Sequence, residues 1–376
     1  MPVSTRIAVT LMTVGLATCS GNALSSTTAS EKSESWRGVD LSYVNEIEAC
    51  GAKYRDQSGI RDPYAILADA GANVVRLRLW HSPDWTSYST LDDVKLSIRR
   101  AKANKMKVLL DFHYSDDWVH PGKQIAPAAW AGQSDNDLAA SLGEYTKSVL
   151  RSLDGDGLLP EFVQVGNETN TDMLIDKEVA ENAPINWARN ILFFKAGITA
   201  VKTVAHQTGK PIGVMLHIAQ PENVEPWFDA AAAAGLPDFD IIGLSYYEKW
   251  STTPLAAIGP KVARLRAKYS KDVVIVETSY PWTLKSNDQA GNLLGQDSVS
   301  PGYPATKVGQ KRYLSQLMRS VTENGGLGIV YWEPAWISSS CKTRWGQGSH
   351  WENTTLFDFR GRLLPGAQFL QNPAVP

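Results

Sequence analysis

Two glutamates each close a short apolar run: Phe162-Val163-Gln164-Val165-Gly166-Asn167-Glu168 and Val273-Val274-Ile275-Val276-Glu277. A run this apolar reads as a strand buried on both faces, as in a parallel sheet. Such a strand aims its C-terminal end at a ligand crevice. Carboxylates on two such ends are equipment for acid/base or nucleophilic chemistry on a glycosidic bond. Each residue also has a plainer use. A strand-end glutamate can pair with an arginine, and Arg76 is available. His113 or His217 alone would more often be a hydrogen-bonded core histidine. The tryptophans can be packing. The accumulation argues otherwise, because stability does not require so many polar and aromatic groups at one set of strand ends.

Those ends must be brought together. Strand-like runs begin at Gly38-Val39-Asp40 and continue with 73–78, 107–111, 162–167, 213–217, 241–245, 273–277 and 328–332. Helical signals lie between them. Asp62-Pro63 is a cap followed by proline at the first helical position. Thr90 and Asp93 stand at capping-box spacing, and Val94, Ile98 and Ala101 mark one helical face. Ile191, Phe194, Ile198 and Val201 mark another. Eight β/α alternations without a second composition zone predict an α/β fold, a single (β/α)8 TIM barrel. An open doubly wound sheet would carry a glycine-rich turn after its first strand, and Asp40-Leu41-Ser42-Tyr43 has none. In a barrel the polar strand ends converge on one face: Arg76 to His81, Asp111 to Asp116, Asn167-Glu168, His217, Ser245-Tyr246-Tyr247, Glu277 and Trp332 to Trp336.

The chain has 376 residues, enough for a large core, and a formal charge of −2 without a basic stretch, which argues against nucleic acid as a partner. Residues 1–19 read as a signal peptide: Arg6 supplies the positive charge, and Ile7 to Thr18 is too short to span a bilayer. Leu16-Ala17-Thr18-Cys19 resembles a bacterial lipoprotein processing box with Cys19 lipidated. Ordinary cleavage nearby, for example after Ser25, is the alternative. Either reading exports the chain, to an outer-membrane or cell-surface anchor or into the secreted or periplasmic pool. Residues 20–35, rich in Ser and Thr, read as a flexible tether of roughly 20–25 Å reach, and 36–376 as the catalytic domain. Cys50 and Cys341 remain, either paired or as two buried thiols.

The text around these residues resembles glycoside hydrolase family 53, within clan A. The matching blocks run from Arg37-Gly38-Val39-Asp40-Leu41-Ser42 through Leu67 to Trp80, Asp111 to Trp118, Gln164 to Asn170 and Val276 to Tyr280, ending at Tyr331 to Ile337. The resemblance implies a retaining endo-β-1,4-galactanase acting on galactan or type I arabinogalactan, expected as a monomer with no organic cofactor. Glu168 is then the acid/base and Glu277 the nucleophile, its pKa lowered by Arg76. Asn167 would bond the sugar 2-hydroxyl and Tyr246 would donate to Glu277. His113 and His217 would shape the floor. Trp332 would be the stacking platform, with Trp118 and Trp336 in outer subsites. Relatives can carry calcium in the loop after the seventh strand; here Asp288 and Asn292 match, while Ser286 and Ala290 replace other ligands, so a solvated loop is the alternative. The rival functions are a clan A enzyme for another β-linked polysaccharide and a non-catalytic glycan-binding lipoprotein. The latter would be expected to lack one of the two glutamates.

Overall fold

The computed structural model describes residues 1–4 and 34–371. Most of the signal peptide, the lipidation position Cys19 and most of the tether lie outside the described residues. From Glu34 onward the chain forms a closed barrel of eight parallel strands. They are β1 (Trp36–Asp40), β2 (Val74–Leu79), β3 (Lys107–Phe112), β4 (Phe162–Val165), β5 (Gly213–Ala219), β6 (Ile241–Ser245), β7 (Asp272–Thr278) and β8 (Gly328–Tyr331). Each pairs with the next, and β1 closes the ring against β8 with Trp36 opposite Gly328. The eight runs expected from sequence are the eight barrel strands.

The connecting helices are α1 (Val44–Ala49), α2 (Pro63–Asp69), α3 (Leu91–Ala103), α4 (Asp135–Gly155), α5 (Trp187–Thr208), α6 (Pro221–Ala233), α7 (Leu255–Tyr269) and α8 (Lys307–Glu323). Two of them, α1 and α2, share the first crossover. After β8 the chain ends on a 3-10 turn, Pro365–Leu370, packed against α8. The expected caps are formed: Asp62 accepts from the Tyr64 N–H with Pro63 at the first position, and Thr90 accepts from Asp93.

Strand alternation divides the apolar residues into two sets. One set, including Val75, Leu77, Val108, Leu110, Val163, Ile242 and Ile275, packs outward under the helices. The other gathers Trp36, Val74, Leu109, Met215, Ile241, Val274, Val276 and Val330, with Phe162 against them. It draws on every strand and plugs the inside of the barrel near its N-terminal rim. A Cβ on Gly243 would sit 2.7 Å from the Met215 sulfur and 3.1 Å from Val276 Cγ1, so a larger residue at this inward position would require the plug to shift. Above the plug the inward positions turn polar: Asp40, Arg76, Asp111, Gln164, His217 and Ser245.

One strand breaks the alternation. Leu244 lies opposite Ile275, yet Ser245 lies opposite Glu277; on the other side Ile329 faces Ile275 and Tyr331 faces Thr278. β7 thus carries one residue more than either neighbour, a β-bulge. Val274 and Val276 point inward, so strict alternation would turn Glu277 out. The bulge turns it in.

Cys50, at the end of α1, and Cys341, beyond β8, form a disulfide with Cα atoms 5.3 Å apart. Just past it, Lys342–Thr343 and Gly346–Gln347 make a small hairpin with Arg344 and Trp345 at its turn.

Candidate active site

Arg76 is the centre of the polar layer. Four of its N–H groups donate to acceptors, and a fifth contact is an ion pair. Nε donates to Gln164 Oε1 at 3.1 Å. Nη1 donates to Asp40 Oδ2 at 2.9 Å and lies 2.7 Å from Glu277 Oε1. Nη2 donates to Asp111 Oδ2 at 2.8 Å and Asn167 Oδ1 at 2.7 Å. One guanidinium is thereby divided among three carboxylates. Burial pushes the Asp111 carboxyl up, but Arg76 and the neighbouring His113 outweigh it and hold it below the usual range.

Glu277 fares differently. Burial pushes it up, against the pull of Arg76, with Glu168, Asp40 and Asp111 adding to the rise. The expectation that Arg76 would leave Glu277 with a lowered pKa is therefore corrected: the cation pulls in that direction, but its charge is already shared with two aspartates. Burial also raises Glu168, opposed by its bond from Ser245 and by His120 and Arg76. Glu168 thus raises Glu277, and the two titrate as a pair. Glu277 touches the Arg76 cation and accepts from the Tyr247 hydroxyl, whereas Glu168 is bonded only to the neutral hydroxyl of Ser245, at 2.6 Å. The pair's negative charge therefore settles on Glu277 and its proton on Glu168. This division suits a nucleophile and a general acid.

The tyrosine is the second correction. Tyr247, not Tyr246, donates to Glu277, with Oη 3.2 Å from Oε2. The Tyr246 hydroxyl donates to Glu248 at 3.0 Å. Inward and outward positions alternate along β6 and its continuation, so with Ser245 inward Tyr246 turns away and Tyr247 returns to the cavity. The two histidines are buried in the floor. His113 Nε2 is 3.0 Å from Asp111 Oδ2, and His217 Nε2 is 2.8 Å from Ser245 Oγ. Burial, followed by the charge of Arg76, lowers His217 well below its ordinary value, so its ring is neutral. Asn167 lies beside Glu168, its Oδ1 taken up by Arg76 and Gln164 and its Nδ2 donating to Val119 O at 3.0 Å. Glu168 itself has φ +43°; Tyr114, Gln220 and Glu333, just past three other strands, also have positive φ. Each such position costs about 1–3 kcal/mol and is held by its surroundings.

Above this floor a cleft of about 850 Å³ opens on the C-terminal face of the barrel. Glu168, Glu277, Asn167, Tyr43, Tyr247, Trp118, Trp332 and Trp336 line it, joined by Trp250, Trp345 and Trp351. A row of indole contacts runs along it. Trp345 meets Trp118 at 6.1 Å between centroids, Trp118 meets Trp332 at 5.9 Å, Trp332 meets Trp351 at 4.4 Å, and Trp351 meets Trp250 at 6.4 Å. The two ends are the most exposed, Trp345 at 40% and Trp250 at 45%. Below Trp118 lies Arg78, its guanidinium 4.0 Å from the ring, and Tyr43 stacks on Trp336 at 3.9 Å. From sequence, Trp250, Trp345 and Trp351 carry no expectation, and Tyr247 stands only among the polar strand ends. Parity along β6 would have found Tyr247. Nothing in the sequence of the tail beyond β8 signals that Trp345 and Trp351 return to the cleft.

The loop after β7 offers a calcium ion few free oxygens: Asn292 Oδ1 has no hydrogen-bond partner, but Asp288 is engaged. The Asp288 carboxylate accepts from the backbone N–H groups of Ala290, Ser349 and Ser339 at 2.9, 2.8 and 3.3 Å. Three donors thus occupy most of the carboxylate's roughly four lone-pair directions. Asn292 donates to Ser286 Oγ at 2.9 Å and to Lys285 O at 3.3 Å. Among the described residues no three His, Cys, Asp or Glu gather as a metal site, whereas calcium takes six to eight oxygens. Glu352 ties down the same loop by accepting from the Asn287 N–H at 2.5 Å and from the Ser338 hydroxyl.

Comparison with known proteins agrees with this geometry. The chain is 50% identical to an arabinogalactan endo-β-1,4-galactanase of Cellvibrio japonicus over 93% of this chain and 94% of the relative. It is 33% identical to an endo-β-1,4-galactanase of Bacillus subtilis, covering 89% of this chain and 85% of that one. A solved family 53 catalytic domain from Ignisphaera aggregans superposes with a TM-score of 0.81 at 34% identity, covering 89% of this chain and 95% of the other. The model of glycosyl hydrolase family 53 matches residues 36–370, the whole barrel from β1 to the closing 3-10 turn, and the chain belongs to that family.

Proposed function

We propose that this protein is a retaining endo-β-1,4-galactanase that cuts β-1,4-galactan and type I arabinogalactan into galacto-oligosaccharides. The observation that carries the reading is a pair of carboxyls with unlike partners in one aromatic-lined cleft: Glu277 against Arg76 and Tyr247, Glu168 against Ser245. The substrate follows the activities named for the Cellvibrio and Bacillus relatives. In the first step Glu168 gives its proton to the glycosidic oxygen as Glu277 attacks the anomeric carbon, the leaving chain departs and a glycosyl ester forms on Glu277. In the second, Glu168 takes a proton from water, the resulting hydroxide attacks the same carbon, and the ester breaks with net retention. No organic cofactor enters either step. Asn167 has one amide hydrogen left for a sugar hydroxyl, and the row of indoles offers flat faces to successive sugar rings.

The test is reducing-sugar release from galactan, mannan and xylan side by side, with product sizing and the anomeric configuration of the first product read by NMR. Galactan cut to short oligomers with a β-configured first product is expected. Preference for mannan or xylan, or an α-configured product, overturns the reading. The protein is expected to act outside the cytoplasm as a monomer, attached to a membrane through Cys19 if it is lipidated. Cys19→Ala should then release it from membranes or block its processing, and unchanged fractionation and processing would count against the anchor.

A further inference from the structure

A chain of hydrogen bonds runs inward from Glu168. Its Oε1 lies 2.6 Å from Ser245 Oγ, which lies 2.8 Å from His217 Nε2. The direction of this chain follows from the far side of the imidazole. His217 Nδ1 faces Gln164 Nε2 at 3.1 Å, the Glu168 backbone N–H at 3.4 Å and Asn167 Oδ1 at 2.9 Å. Asn167 Oδ1 already accepts from Arg76 Nη2 at 2.7 Å, and one of the two Gln164 Nε2 hydrogens is spent on Asp111 Oδ1 at 2.7 Å, which leaves one for this side of the ring. The Glu168 backbone N–H is directed at Nδ1, where a second hydrogen would oppose it, so Nδ1 accepts and the ring proton sits on Nε2. That proton is donated to Ser245, so the serine hydroxyl has one direction left for its own hydrogen: toward Glu168 Oε1.

We propose that Ser245 is a positioning residue that keeps the acid proton of Glu168 on Oε2, the oxygen without a hydrogen-bond partner among the described residues. A carboxyl oxygen that faces an incoming O–H cannot carry a hydrogen of its own along the same line. With Oε1 reserved as an acceptor, the proton is left on the oxygen free to meet a leaving group. The polarity does not reverse in the second step: the ionised carboxylate keeps the same bond from Ser245, and Oε2 takes the proton from water. His217 acts one link further back, through Ser245. The proposal rests on Glu168 being the acid/base. The charged and titratable groups facing it are Arg76 from β2, Asp111 from β3, His120 beyond β3, His217 from β5, Tyr247 beyond β6 and Glu277 from β7.

The test compares Ser245→Ala, Ser245→Thr and Glu168→Ala on two aryl β-galactosides, one with a leaving group that departs unaided and one that needs protonation. Ser245→Ala is expected to lower kcat/KM about tenfold on the poor leaving group and less than twofold on the good one. Its basic limb should move up by about one pH unit, because a donor to the ionised form is lost. Ser245→Thr, which keeps the hydroxyl, should restore both. If the alanine variant does not fold, Ser245→Cys keeps the volume with a weaker donor and is read in the same way. Equal losses on both substrates, or no loss on either, overturn the proposal. Glu168→Ala separates the two claims. A selective loss there with none in the serine variants overturns the role of Ser245 alone, and a non-selective loss in Glu168→Ala overturns the acid/base reading beneath it.

Discussion

Removing the Tyr247 hydroxyl tests the nucleophile's electrostatics and the orientation of two adjacent tyrosines at once. The hydroxyl donates to Glu277 Oε2 at 3.2 Å, at the long end for such a bond. A hydrogen bond to a charged group contributes about 1.5–3 kcal/mol, and the length argues for the lower figure, so Tyr247→Phe should raise the Glu277 pKa by about one unit. The sign follows from what is lost: the donor favours the ionised carboxylate, so without it protonation comes at higher pH. The acid limb of kcat/KM should shift upward by the same unit, with about tenfold less activity well below the limb. Tyr246→Phe is the matched control. It loses a bond to Glu248 and none to Glu277, so its limb should stay in place. The assay is kcat/KM on galactan across the acid range for the parent and both variants. An unmoved limb in Tyr247→Phe, or an equal movement in Tyr246→Phe, would refute the reasoning.

Three further outcomes are expected. Glu277→Ala should lose turnover and recover it with azide as an α-galactosyl azide, whereas Glu168→Ala should yield a β-product; the reverse assignment by NMR would exchange their roles. A chelator should leave the melting temperature unchanged, whereas Asp288→Ala, which strips three N–H groups of their acceptor, should cost about 1–3 kcal/mol; a clear fall with chelator alone would restore the calcium reading. The disulfide closes a loop with a sequence separation of 291. Chain entropy then sets its contribution at no more than about 5–6 kcal/mol, so Cys341→Ser should lower the melting temperature by up to about 8 °C. A thermal scan showing no change would sink that account.

The barrel was legible because buried parallel strands leave continuous apolar runs, and eight of these alternate with capped helices. Glu168 and Glu277 were legible as carboxylates closing two of the runs. What escaped was geometry set by a neighbour or by the tail. Along β6, parity alone would have chosen Tyr247 over Tyr246. Along β7, parity would have turned Glu277 out of the cavity, because the bulge that turns it inward appears only in the register against β6 and β8. The sharing of Arg76 among Asp40, Asp111 and Glu277 depends on three strands closing around one guanidinium, and no local pattern announces it. Trp345 and Trp351 follow the last strand, where the sequence has neither period nor motif to say which face the chain revisits.

The placement of the chain's ends has a consequence for how the barrel can be held. Arg37, at the start of β1, grips Glu34 through Nη2 at 2.9 Å and Gly71 O through Nε at 2.8 Å. The last turn reaches the same pole, where Leu370 O lies 2.2 Å from the place a Cβ on Gly71 would occupy. Both ends of the domain therefore leave from the rim opposite the cleft, a strand's length of about 17 Å away. A surface, a fusion partner or a solid support joined at either end would stand behind the barrel, out of the path of a polymer laid across its mouth. Immobilisation through either terminus should preserve attack on long chains, whereas a linkage through the Trp345 hairpin should obstruct it.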